Sequence, residues 1–268
     1  MRVRCDQRDG SVWRVVFEPN EHGDVSLTGA GLQQLLEIFA AADEVTSGCR
    51  VVVLESKAPD IFCRGMDLRF LAEHAGEDQR ERIDAYVRSL LAIRRARVAV
   101  IAMVNGEAMG GGVGIAAASD LIIATERATF ALPEVVLGLM PAMIMPFLCE
   151  RIRPQKARWL AISGTRLSAA AAQEIGLVDR VEPHTAAQEK SLREALKRLL
   201  RASPRSVAKI RDFTSKVSKI GLEEGAQLGA AQTNSDLLEL ETITAIRGFL
   251  NGESPSWFER VKSRRGEA

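Results

Sequence analysis

The stretch Asn105-Gly106-Glu107-Ala108-Met109-Gly110-Gly111-Gly112-Val113-Gly114 decides how the rest of the chain is read. It follows an apolar, β-branched run at 98–104 and leads into an Ala-rich segment at 112–118, which makes it a strand-to-helix turn. Three consecutive glycines at that place expose backbone N–H groups at a helix N-terminus. Unpaired donors and the positive end of the helix dipole there favour developing negative charge. Close helix packing through glycine is the other reading of the same residues. A phosphate loop fits poorly, because Val113-Gly114 stand where the Walker pattern requires Lys-Ser/Thr. The dinucleotide fingerprint Gly-x-Gly-x-x-Gly is absent from the first strand.

Outward from this turn, short β-branched runs at 12–17 and 51–54 read as strands, with apolar residues at helical spacing (Leu32, Leu35, Leu36, Phe39) between them. A helix is predicted over 78–93, a strand over 98–104 and another over 120–124. Alternating strands and helices argue for an α/β fold. Past residue 128, helices are predicted over 144–152, 154–162 and 168–175, with an extended piece near 177–181. The remainder reads as helical: 186–201, 204–220, and a continuous stretch over 222–250 that Asn251-Gly252 ends. The domain division expected is a core over 1–195 and a helical C-terminal region over 196–268.

Composition narrows the function classes. The 268 residues are 46% hydrophobic and 26% charged, and 36 Lys+Arg against 35 Asp+Glu leave a net charge of +1. Such a balance provides no basic field for nucleic acid or an anionic membrane. The four cysteines, Cys5, Cys49, Cys63 and Cys149, lack metal-ligand spacing, so neither a disulfide framework nor a zinc ribbon is expected. No signal-peptide-like or membrane-spanning run is evident, which places the expected location in the cytoplasm.

Two further segments carry candidate chemistry. Asp60-Ile-Phe-Cys-Arg-Gly-Met-Asp-Leu68 follows the strand at 51–54 and can present a second free N–H, so that two turns after neighbouring strands would make a two-donor oxyanion hole. In Ala128-Thr-Phe-Ala-Leu-Pro-Glu-Val-Val-Leu-Gly138 the one acid, Glu134, stands among apolar residues. Either desolvation raises its pKa into the range useful for proton transfer, or it simply caps a helix N-terminus. Cys63 reads as a packing residue, His74 as surface, and Asp67 as a cap for the next helix.

Together, Phe62-Cys-Arg-Gly-Met-Asp-Leu68, Asn105-Gly with Gly110-Gly-Gly, Asp120-Leu-Ile-Ile-Ala, Ala128-Thr-Phe and Pro133-Glu-x-x-Leu-Gly138 resemble the enoyl-CoA hydratase/isomerase (crotonase) superfamily in order and spacing. The likeness extends over about residues 10–182, including Ser168-Ala-Ala-Ala-Ala-Gln-Glu-Ile-Gly-Leu-Val-Asp179. It implies a spiral of β-β-α units, a helical C-terminal region that builds trimers or hexamers, and a thioester carbonyl held by the Met66 and Gly111 amides with Glu134 as acid/base. The partner implied is a phosphopantetheine thioester on an acyl carrier protein or coenzyme A, and no cofactor or metal is expected.

One departure matters. Hydratases of this superfamily carry a first glutamate two residues after the glycine triplet, where this chain has Gly114. Glycine neither deprotonates nor orients water. A narrower likeness, in Gly138-Leu-Met-Pro-Ala-Met-Ile-Met-Pro-Phe-Leu148, Gly112-Val-Gly-Ile-Ala-Ala-Ala-Ser-Asp120 and Thr233-Asn-Ser-Asp236, is to the dehydratases of polyketide β-branching cassettes. It implies removal of water from a 3-hydroxy-3-methylglutaryl thioester, with Arg64 or Arg69 as candidates to pair with the distal carboxylate. A double-bond isomerase using one Glu, and a non-catalytic thioester-binding scaffold, are the alternatives.

Overall fold

A computed structural model describes residues 1–7, 10–74, 76 and 78–261. It divides into two compact units, Met1–Ala195 and Leu196–Ala268, the last seven residues of the second lying outside the described ones. The first unit opens with β1 (Arg2–Gln7), β2 (Val12–Glu18) and α1 (Gly29–Asp43). Next come β3 (Val51–Ser56), β4 (Ile61–Cys63), α2 (Leu68–Glu73), α3 (Arg80–Arg95), β5 (Ala99–Val104), β6 (Glu107–Met109) and α4 (Gly111–Ala118). Then follow β7 (Leu121–Thr125), β8 (Thr129–Ala131), a 3₁₀ turn at Pro133–Leu137, α5 (Met145–Arg151), α6 (Pro154–Ser163), β9 (Leu167–Ser168), α7 (Ala169–Glu174) and β10 (Arg180–Glu182). Helix α8 (Thr185–Leu199) crosses into the second unit, which holds α9 (Pro204–Val217), α10 (Leu222–Leu237) and α11 (Leu240–Leu250).

Two sheets result, one in the order β1-β2-β3-β5-β7-β10 and one in the order β4-β6-β8-β9. Each consecutive strand pair, β3 with β4, β5 with β6 and β7 with β8, gives one strand to each sheet. Repetition of this step is the β-β-α spiral that the family resemblance implies. The pairings β3·β5, β5·β7, β4·β6 and β6·β8 are all parallel. Parallel strands covered on both faces read as continuous apolar runs, and all six residues of β5 are buried. Phe17 and Phe62, both fully buried, meet edge to face at 5.5 Å between the sheets' strands.

Two expectations change. The short strands of the second sheet and β1 were not anticipated: three residues are too few to show alternation. In β1 that pattern is present, with Val3 buried between exposed Arg2 and Arg4. The stretch 222–250 is not one helix, because the chain turns out at Leu238–Glu239, where Glu239 is extended (φ −78°, ψ 128°). The Glu239 carboxylate accepts from Lys209, 2.9 Å away, and pairs with Arg205, while Lys209 also holds Asp236. These ion pairs tie both sides of the break to α9. Among the described residues no helix is long and apolar enough to cross a membrane.

Candidate active site

Crowding between neighbouring turns of the spiral explains the glycines. A β-carbon on Gly106 would fall 2.1 Å from the Asp60 carbonyl carbon, and one on Gly112 would fall 2.0 Å from the Cys63 carbonyl oxygen. The chain after β5 therefore lies directly against the chain around β4. Gly65, at φ +80°, completes the contact: its β-carbon would lie 2.7 Å from Gly111 N and 2.9 Å from Met109 O. The Met66 turn and the Gly111 turn, separate in sequence, are in touch.

The direction of each candidate amide follows from its peptide partner, since N–H and C=O of a trans peptide point opposite ways. The Gly65 carbonyl accepts the Leu27 N–H at 2.6 Å, which turns the Met66 N–H away from Leu27. The Gly110 carbonyl accepts from Val113 N at 2.9 Å and Gly114 N at 3.3 Å, inside the first turn of α4. The Gly111 N–H therefore points out of the helix N-terminus, where it has no intrahelical partner.

Glu134 joins the same place from the third turn of the spiral. Its Oε1 lies 2.7 Å from where a β-carbon of Gly110 (φ +49°) would sit, so glycine leaves room for the carboxyl beside the Gly110–Gly112 turn. The residue is half-buried, and its Oε2 is enclosed without a hydrogen-bond partner. Desolvation raises its pKa above the ordinary carboxyl range. A charged oxygen with no donor is costly, which is the physical cause of the upward shift. Of the two readings of Glu134, the burial of its side chain favours proton transfer over a solvent-facing cap.

The structure brings Met66, Gly111 and Glu134 into one site, and it places the two arginines differently. Arg64 is held by Glu107, with Nη2 2.9 Å from Oε2, and approaches Asp24 at 3.4 Å. Burial alone would push the Glu107 carboxyl up, but Arg166 and Arg64 together hold it below its usual range. Arg64 thus ties turns of the scaffold together. Arg69 is exposed on α2, and no ion pair is made to it among the described residues. Asp67 caps α2 as expected, accepting from Arg69 N and Phe70 N at 3.1 Å. His74 stacks on Phe70 at 3.8 Å and its Nδ1 lies 2.9 Å from the Phe70 carbonyl, which keeps it with its own helix.

Cys63 is fully buried and burial pushes its thiol up to about 12, so it is a packing residue. Cys49 behaves alike, also at about 12, whereas Cys149 is exposed. Iodoacetamide on the native protein should label Cys149 and spare Cys49 and Cys63. Peptide mapping checks this, and labelling of Cys63 at the rate of Cys149 would contradict the burial.

Sequence reasoning missed Tyr86. It lies on α3, fully buried, and its hydroxyl donates to the Gly111 carbonyl at 2.8 Å. The spacing Tyr86, Leu90, Ile93 along one helix face was the available signal.

The chain belongs to the enoyl-CoA hydratase/isomerase family, whose sequence pattern matches residues 14–260. It is 32% identical over 186 residues, 69% of this chain and 70% of the relative, to the bacillaene synthase dehydratase PksH of Bacillus subtilis (strain 168). Identity to the carnitinyl-CoA dehydratase of Proteus mirabilis (strain HI4320) is 30% over 216 residues, 78% and 81% of the two chains. Among solved structures, Pseudomonas aeruginosa AtuE superposes with a TM-score of 0.87 at 28% identity, over 97% of this chain and 100% of that one. An enoyl-CoA hydratase/isomerase from Marinobacter aquaeolei gives 0.85 at 27% identity, over 96% and 99%. The family and these relatives mark the chain as an enzyme of hydratase and dehydratase type.

Proposed function

We propose that the protein is a cytoplasmic dehydratase acting on a 3-hydroxy-3-methylglutaryl thioester carried by an acyl carrier protein, giving the 3-methylglutaconyl thioester of polyketide β-branching. The observation that carries the reading is a lone, desolvated carboxyl set against a glycine-rich turn, with Gly114 where a second acid would stand. The relatives above that are dehydratases add support.

The thioester oxygen docks on the Met66 and Gly111 amides. Glu134 takes the C2 proton, and the electron pair of the broken C–H bond is held as an enolate on the carbonyl oxygen. Collapse of the enolate forms the C2–C3 double bond and expels the C3 hydroxyl, which receives the proton from Glu134 and leaves as water. The carboxylate is restored. One acid serves both steps on one face, so no second carboxylate is required. The distal carboxylate of the substrate pairs with Arg69, the arginine of the two whose guanidinium is not tied to Glu107.

Incubation with the 3-hydroxy-3-methylglutaryl-carrier protein and weighing of the acyl group is the test. Loss of one water is expected. An unchanged mass with a shifted double bond on an enoyl substrate would make the protein an isomerase, and binding without change would make it a scaffold. Arg69→Gln should raise KM for the glutaryl substrate about tenfold, as expected for loss of a partly exposed charged contact, and leave kcat nearly intact. An unchanged KM would remove Arg69 from recognition.

We further propose assembly into a homotrimer or a hexamer. Unit one exposes Val136, Met140 and Trp159, and helices α10 and α11 of unit two expose Leu222, Leu240 and Leu250, each more than half accessible. Such apolar surface is what association covers. Sedimentation of the native protein tests it, and a monomer at micromolar concentration would refute it.

A further inference from the structure

We propose that Tyr86 is the positioning residue of this site: its hydroxyl holds the glycine-built start of α4 in place and fills the space above Gly114 that a second acid would need. For its kinetic consequence the inference rests on the dehydratase reading; its geometry does not.

Helix α4 has little to position itself with. Its sequence is Gly-Gly-Val-Gly-Ile-Ala-Ala-Ala, all buried, and its first two residues have no side chains. Glycine has the largest backbone freedom to lose, so an amide that must be preorganised for a developing oxyanion needs an outside restraint. Tyr86, the one tyrosine of the chain, supplies it from α3 by donating to Gly111 O at 2.8 Å. Its ring completes the contact, with Cζ 3.3 Å from where a Gly111 β-carbon would be. Burial holds the phenol neutral, so it acts as a fixed donor.

The same oxygen closes position 114. A β-carbon on Gly114 would fall 2.2 Å from the Tyr86 Oη, and the next nearest described atoms are Ile144 Cγ1 at 3.3 Å and Leu90 Cδ1 at 3.5 Å. A side chain at 114 therefore requires the Tyr86 hydroxyl, on a fully buried ring, to shift. Helix α4 itself carries no acid, and the Tyr86 hydroxyl occupies the space that one at position 114 would need.

This exclusion predicts a reversal of sign. Alanine is a better helix former than glycine, so Gly114→Ala would raise stability were the space open. With Tyr86 present it should lower the melting midpoint by about 5 °C; in a Tyr86→Phe background, where the oxygen is gone, it should be neutral or raise it. Tyr86→Phe alone should speed deuterium exchange of the peptide covering residues 105–114 about tenfold. It should also lower kcat about tenfold with KM within twofold, since the loss falls on the transition state. Equal effects of Gly114→Ala in both backgrounds would overturn the exclusion. Unchanged exchange with unchanged kcat in Tyr86→Phe would overturn the positioning role. Failure of the wild type to dehydrate the thioester would count against the proposed function alone, because the melting and exchange results decide the role of Tyr86 without turnover.

Discussion

Glu134→Gln should lower turnover about a thousandfold or more while making the protein more stable at neutral pH. The loss of rate follows from removing the proposed acid/base group, a role worth about 10²–10⁴-fold. The gain in stability follows from the desolvation that raises the carboxyl pKa. In the unfolded chain Glu134 ionises near the ordinary carboxyl value of 4.5, but in the folded chain it ionises only at higher pH. Folding is therefore penalised progressively as pH rises from the unfolded pKa to the folded one, and the penalty is constant above both. Gln carries no such penalty and keeps nearly the same shape. Melting curves of the two proteins should coincide at about pH 4 and separate toward pH 8, with the variant higher. Coincident curves throughout would mean the carboxyl is well solvated, and retained turnover would remove it from the mechanism. In the wild type the acid limb of kcat/KM should lie above pH 4.5 for the same reason.

The second large effect is expected from Gly65→Ala. The added carbon lands 2.7 Å from Gly111 N and 2.9 Å from Met109 O, both backbone atoms that no rotamer change can move aside. The Met66 and Gly111 turns must part, and with their amides as the proposed oxyanion donors, loss of one lowers kcat about 10²–10³-fold. Stability should fall by about 1–2 kcal/mol from the left-handed backbone at φ +80°, with about 1–3 kcal/mol more from overpacking. Gly48→Ala separates these causes. That glycine is also left-handed, at φ +67°, but nothing lies within 4 Å of its β-carbon. It should lose only the backbone share and keep full activity. If Gly65→Ala behaves like Gly48→Ala, the two turns do not form a joint site.

Both predictions depend on contacts whose legibility in the sequence was uneven. Gly110-Gly111-Gly112 and Pro133-Glu134 stood out because glycine runs and an acid among apolar residues are locally unusual. Arg64 was equally visible, but its pairing was not: Glu107 and Asp24 lie on other turns, so these ion pairs had no local signal. The second sheet escaped for a related reason. Its strands β4, β6 and β8 have three residues each, and they are strands only because each finds the next turn's backbone beside it.

The alternation of the long first-sheet strands with helices, the family to which the chain belongs, and the replacement of one acid by Gly114 were determined by the sequence alone. Each is a matter of residue type at a spacing along one chain. Only the tertiary structure decided that the peptide of Gly65 abuts that of Gly111, that Glu134 is desolvated, and that Tyr86 occupies the space over Gly114. Desolvation and excluded volume depend on which segments lie within a few ångströms of one another in space. Stacking successive turns of the spiral sets those distances, and residues 65, 86, 111 and 134 meet there from four separate places in the chain.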